Sequence, residues 1–162
     1  MRVVRLPQLN ANFLAAGVVA ADLLTKRWAA IRFAGGERMA VIGTFLQFEY
    51  VENPGAAFSL IRNAGPVLGV IAVLAVIFVE RALFKTERLA EALALGAIVG
   101  GALGNLMDRI FRGDGFLDGR VIDWIRFPNF PTFNIADSAI TVGVATLLIL
   151  SWSRARTADR PA

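Results

Sequence analysis

The sequence predicts an all-α polytopic membrane protein, a bundle of four transmembrane helices. Three observations carry this. Of its 162 residues 56% are hydrophobic, and the mean hydropathy of +0.59 lies above that of ordinary soluble domains. The apolar residues collect into runs, and about 20 apolar residues suffice for a helix to cross a bilayer. The basic residues collect in short flanks beside those runs, as cytoplasmic loops do.

The first run, residues 12–31, is the most interrupted, with Asp22, Lys26 and Arg27 in its second half. Arg2 and Arg5 precede it in the manner of a signal peptide. Asp22 breaks the apolar core, however, and no small-residue cleavage site precedes the charges, so the run is expected to remain as a span. A strand-like stretch, TFLQFEYV at Thr44 to Val51, follows it, rich in aromatic and β-branched residues. Asn53-Pro54-Gly55 then marks a turn. The second run, 66–84, is the most apolar, up to Glu80 and Arg81. The third, 89–107, carries Gly96, Gly100 and Gly104 on one face, a spacing that lets helices approach closely. The fourth, 135–152, ends in a short polar tail expected to fray. The whole chain, 1–162, reads as a single integral membrane domain.

With four spans, Arg2 and Arg5, the Arg81–Lys85–Arg88 turn and the Arg154–Arg156–Arg160 tail fall on one side. That side is expected to be cytoplasmic, with both termini on it. Two long loops, about Arg32 to Gly65 and Asp108 to Asn134, face outward. The net charge of +4 then reads as anchoring at an anionic leaflet, and no nucleic-acid motif accompanies it.

The absence of Cys and His excludes disulfides, thiolate nucleophiles, His-based metal sites and His general bases. Any chemistry falls to Asp, Glu, Lys, Ser, Thr or Tyr. The unusual polar residues all fall near the outer face: Asp22 and Lys26 in the first span, Asn53 in the first loop, Asn105, Asp108 and Arg109 at the end of the third span, Asp123 in the second loop, and Asn134 and Asp137 at the start of the fourth. Each has a plain structural reading as well. Asp22 and Lys26 can pair at i,i+4. Arg109 suits an interfacial anchor. Asn134 three residues before Asp137 matches an N-cap with an acidic partner. Capping does not account for Asp123, an acid inside the apolar VIDWI. If Asp123 meets Asp137, the two carboxylates do not both ionise cheaply, and the pair titrates as a unit. That is the electrostatic condition for a carboxylate base and a protonated carboxyl acid acting on one peptide bond.

Five blocks in order then resemble the lipoprotein signal peptidases, or signal peptidase II: DLLTK (Asp22 to Lys26), ENPGAAFS (Glu52 to Ser59), GGALGNLMDRI (Gly100 to Ile110), VIDW (Val121 to Trp124) and FNIADSAI (Phe133 to Ile140). The resemblance covers nearly the whole chain. It implies a four-helix membrane bundle with a small extracytoplasmic β-element, which the Thr44 to Val51 stretch fits. It implies an aspartic endopeptidase of the bacterial inner membrane that cuts signal peptides from diacylglyceryl-modified prolipoproteins, before the lipidated Cys. Asp123 and Asp137 would be the catalytic pair. Asn53, Gly55, Asn105, Arg109, Asn134 and Ala136 would line or support the site, and Asp22 and Lys26 would support its first-span side. No metal or cofactor is expected; the expected partners are the lipidated prolipoprotein and membrane lipids, and the expected state is a monomer. The helix N-terminus favours charge on Asp137, which makes Asp123 the expected proton carrier.

Two departures stand out. Trp124 occupies a position where Phe is commoner, a swap expected to be tolerated. The stretch between Arg109 and Asp123 is longer and adds Asp114 and Asp118 in RGDGFLDGR, rival acids expected to be solvated. Three other functions remain open on residues alone. One is a Ser/Lys hydrolase using Ser59 and Lys26. The second is an ion-coupled transporter, against which stands the lack of an internal repeat. The third is a binding subunit without chemistry.

Overall fold

The structure, a computed structural model, describes residues 5–55 and 64–158. Ser59 and the rest of the ENPGAAFS block beyond Gly55 lie outside the described residues, as do Arg2 and Arg160. Among the described residues, four helices and three strands follow one another: α1 Leu6–Phe33, β1 Met39–Ile42, β2 Leu46–Asn53, α2 Ala64–Leu83, α3 Leu89–Phe111, β3 Val121–Arg126 and α4 Ile135–Ala158.

Among the described residues, three helices are long and apolar enough to cross a membrane: Gly65–Leu83, Leu89–Phe111 and Ile135–Thr157. α1 forms where the first run was expected and is longer, 28 residues, but carries its charges within it. α3 is the central helix. Its apolar window is 56% buried, against 11% for α2 and for α4, which leave most of their surface to an apolar solvent. α3 packs on α1, α2 and α4.

The glycine face explains the closeness of α1 and α3. A Cβ on Gly96 would stand 2.5 Å from the Ala11 carbonyl oxygen, and one on Gly100 would stand 2.7 Å from that of Ala15. Both partners are backbone and have no room to yield, so the packing needs glycine. Gly101 lies equally close to the Ala136 carbonyl at the start of α4.

The polar tail does not fray at Trp152. α4 continues to Ala158, and Arg154 reaches Glu91 of α3 at 2.7 Å, which ties the last turns to the bundle.

The strands form one antiparallel sheet in the order β1-β2-β3. The strand-like reading of Thr44 to Val51 falls on β2, displaced by two residues at each end. β3 corrects an expectation: Asp123 lies on a strand, not in a loop. VIDWIR has the β-branched and aromatic residues a strand favours, and its pairing partners lie on β2. The sheet rests on the last turns of α1. Trp28, Phe33, Phe48 and Trp124 meet edge to face, with ring centroids 4.9 Å apart for Phe48–Trp124 and 5.4 Å for Trp28–Trp124. Buried Glu49 pins the other face, receiving Arg126 at 3.1 Å, Thr132 at 3.0 Å and Arg38 at 2.7 Å. Burial alone would raise its carboxyl, but those partners hold it below its ordinary value.

Trp124 makes the aromatic departure testable. Its indole N–H is buried without a hydrogen-bond acceptor among the described residues. Trp124→Phe removes that unsatisfied donor while leaving a small void, two effects of opposite sign. The expected net change in thermal stability is within about 1 kcal/mol, read from unfolding in detergent.

Candidate active site

Asn134 is the residue through which the site is assembled. It stands one position before α4, and its side-chain oxygen accepts the Asp137 N–H at 2.9 Å. The Asp137 carboxylate accepts the Asn134 N–H in return, at 3.3 Å. This reciprocal pair is a capping box, and it satisfies amides that a helix start leaves open. The Asn134 amide nitrogen meanwhile donates to Asp123 Oδ1 at 2.7 Å. One side chain thus holds one acid and caps the helix that carries the other.

Two further asparagines complete the cradle. Asn53, at the end of β2, donates to Asp123 Oδ2 at 2.7 Å. Its own oxygen accepts the Gly55 N–H at 2.8 Å, closing the Asn53-Pro54-Gly55 turn. Gly55 has φ 108°, a conformation that glycine adopts and other residues rarely do. Asn105, on α3, donates to Asp137 Oδ1 at 2.7 Å. Each acid therefore receives an amide donor of its own, and Asn134 serves both.

Behind the acids lies a buried ionic hub. Lys26 has three N–H donors, and three acceptors meet them: Asp22 at 2.6 Å, Asp108 at 2.9 Å and Asn105 Oδ1 at 3.0 Å. Lys26, Asp22 and Asp108 are all buried. Asp22 also accepts the Ala136 N–H, at 3.0 Å, so a residue of α1 caps an amide of α4. Ala136 is fully buried, between Asp22 and Gly101, which fits a position that takes a small side chain.

Asp108 has a part that sequence reasoning leaves unassigned. It accepts the Ile122 N–H at 3.2 Å and binds Arg112 at 2.6 Å. It thereby sets the height of β3 against α3, one residue from Asp123. The available signal was its place three residues after Asn105, on the same helix face. Arg109 reaches the Gly119 carbonyl at 3.5 Å. Asp114 and Asp118 are exposed, and Asp118 accepts the Gly115 N–H at 3.0 Å within its own turn.

The two acids differ in setting. Asp123 is 2% exposed, whereas Asp137 is partly open. Burial pushes the Asp123 carboxyl from an ordinary 3.8 up to about 6. The Asn53 and Asn134 hydrogen bonds and the Lys26 charge oppose that rise, and the Asp137 charge adds to it. A carboxyl that keeps its proton up to about pH 6, beside a more open one, gives the pair the asymmetry that acid–base work needs.

Comparisons with known proteins find similarity along most of the chain. Residues 14–153 match the family described as Signal peptidase (SPase) II. The lipoprotein signal peptidase of Rhodococcus jostii (strain RHA1) is 42% identical over 140 residues, 86% of this chain and 71% of that one. That of Streptomyces coelicolor (strain ATCC BAA-471 / A3(2) / M145) is 40% identical over 131 residues, 81% of this chain and 64% of that one. Two solved structures are also similar. A bacterial membrane enzyme solved by the in meso method at 2.3 Å resolution superposes with a TM-score of 0.81 and 27% identity, covering 94% of this chain and 93% of that one. Another, at 1.9 Å resolution, gives 0.78 and 31%, covering 87% and 91%.

Proposed function

Because this chain belongs to the signal peptidase II family, whose members remove signal peptides from prolipoproteins, we propose that it works as an aspartic endopeptidase through Asp123 and Asp137. The observation that carries the reading is the double role of Asn134, whose side-chain amide donates to the Asp123 carboxyl and whose backbone N–H donates to that of Asp137. Asp137, the more open acid, takes a proton from the attacking water. Asp123, the drier one, gives its proton to the scissile carbonyl. Asn53 and Asn105 hold the two carboxyls in place, and Asn134 fixes their relation. Gly55, Arg109 and Ala136 shape the walls, and the Asp22–Lys26 pair supports them from α1.

The substrate is a diacylglyceryl-modified prolipoprotein, cut before its lipidated Cys. Its signal helix lies among the spans, and its acyl chains stay in lipid. α1 serves as the fourth span, its buried charges paired off from lipid by Lys26. The enzyme then sits as a monomer in the bacterial inner membrane, with both termini cytoplasmic and the site at the outer face.

The test is cleavage of a prolipoprotein by the purified enzyme, with the same precursor lacking its diacylglyceryl group as comparison. Cutting of the lipidated form alone is the expected result, and equal cutting of both would remove lipid recognition from the reading. The pH profile tests the acid pair separately. Asp123 acts in its protonated form, and its pKa is raised, so kcat/KM is expected to fall as pH rises through about 6. A profile flat from pH 5 to 8 would take the proton away from Asp123.

A further inference from the structure

The mechanism makes no use of the far end of the sheet, where the sequence reads FPNFPTF from Phe127 to Phe133. Pro128 and Asn129 turn the chain there. Asn129 has φ 57°, and the Phe130 N–H closes on the Phe127 carbonyl at 3.4 Å. The turn brings four rings together from separate segments. Phe45, in the β1–β2 turn, meets Phe127 with centroids 5.2 Å apart; Phe127 stacks on Phe133 at 5.9 Å, and Phe130 meets Phe133 edge-on at 5.7 Å.

The cluster is built but not covered. Phe45 is 60% exposed and Phe130 61%, and Ile42 beside them is 59% exposed. A soluble surface rarely leaves so many large apolar side chains together in water. The guanidinium groups nearest in sequence, Arg38 and Arg126, are turned onto Glu49.

The position of the cluster identifies what covers it. Phe133 directly precedes Asn134, the cap of α4, so the rings lie within a turn of the point where a membrane-length helix begins. On the other side, half-exposed Trp28 joins the sheet to the outer surface of α1, where Leu24 and Ile31 are exposed. Exposed apolar side chains thus stand both at the end of the sheet and on the α1 side beside it. Aromatic rings at that height partition to the boundary between headgroups and acyl chains.

We propose that Phe45, Phe127 and Phe130 form an interfacial anchor that inserts into the outer leaflet beside the bundle and fixes the height of the sheet. The sheet carries Asp123, so the anchor sets the depth at which the acid stands. This inference rests on the membrane setting and not on the roles of the two acids.

The test uses the chain's lack of cysteine. Single variants Phe45→Cys, Phe130→Cys and Asp114→Cys of the full chain take a nitroxide label and enter vesicles of phosphatidylethanolamine and phosphatidylglycerol. Power-saturation EPR then compares collision with oxygen, which concentrates in lipid, against a water-soluble nickel complex. Labels at 45 and 130 are expected to favour oxygen severalfold over the label at 114. Nickel-dominated collision at 45 and 130 would overturn the anchor. Shielding from both reagents, with dipolar broadening between labels, would overturn it too, by making the patch a contact between copies. The two positions are exposed, so the label is not expected to disturb folding, and circular dichroism checks this.

Discussion

Asp137→Asn and Asp123→Asn are each expected to reduce cleavage of a lipidated prolipoprotein by about 10³-fold or more, while Asp118→Asn is expected to cleave like the wild type. The amide keeps the shape of the carboxyl and removes its ability to exchange a proton, so the loss measures acid–base chemistry, worth about 10²- to 10⁴-fold for one group. Each amide is also close to isosteric within its hydrogen-bonded cradle. Asn at 137 still offers an oxygen to the Asn134 N–H, so the cap of α4 survives. Asn at 123 still offers an acceptor to Asn53 or Asn134. Each amide also gives up one of the two acceptors, so the fold should persist by circular dichroism while detergent stability falls by about 1–3 kcal/mol. Asp118 provides the contrast, because it is exposed and closes only its own turn. Full activity in Asp137→Asn would reduce that carboxylate to a helix cap and take the peptidase chemistry elsewhere.

The second large effect is on stability. Lys26→Met removes the only cation of the described residues that lies between Asp22 and Asp108, and leaves two buried carboxylates without it. Breaking a buried ion pair from one side costs about 3–5 kcal/mol, because the remaining charge stays desolvated. Here two acids are stranded, although Arg112 still reaches Asp108 from the rim. Thermal unfolding in detergent should show a large drop for Lys26→Met. Combining it with Asp22→Asn should recover part of the loss, since one stranded charge is then gone. An unchanged midpoint in the single variant would mean that the hub does not hold the helices together.

Local patterns were the most legible part of the chain. Apolar runs marked all four helices, because lipid-facing and core-facing helices alike are written in contiguous apolar residues. The α4 cap was visible as Asn134 and Asp137 three residues apart, and the α1 pair as Asp22 and Lys26 four apart. What escaped was non-local. β3 is only six residues long, and its partners on β2 lie far away in sequence, so VIDWIR read as an acid in an apolar loop. The Lys26–Asp108 pair and the Asp108–Ile122 bond likewise join segments that no spacing rule relates. Glu49 gave no signal either, since its three partners come from β1's approach, β3 and the loop before α4.

The reach of Asn134 has a consequence for how the enzyme comes into being on the ribosome. Its partners belong to α3, β3 and α4, and α4 follows the others in chain order among the described residues. Both partners of the Lys26–Asp108 pair lie in the part of the chain that is made before β3. The residue that holds Asp123 and the acid that opposes it come only with the start of α4. On the proposed mechanism, the second acid and the residue that holds the first therefore arrive together with α4, and a chain shortened before α4 is expected to cleave no precursor.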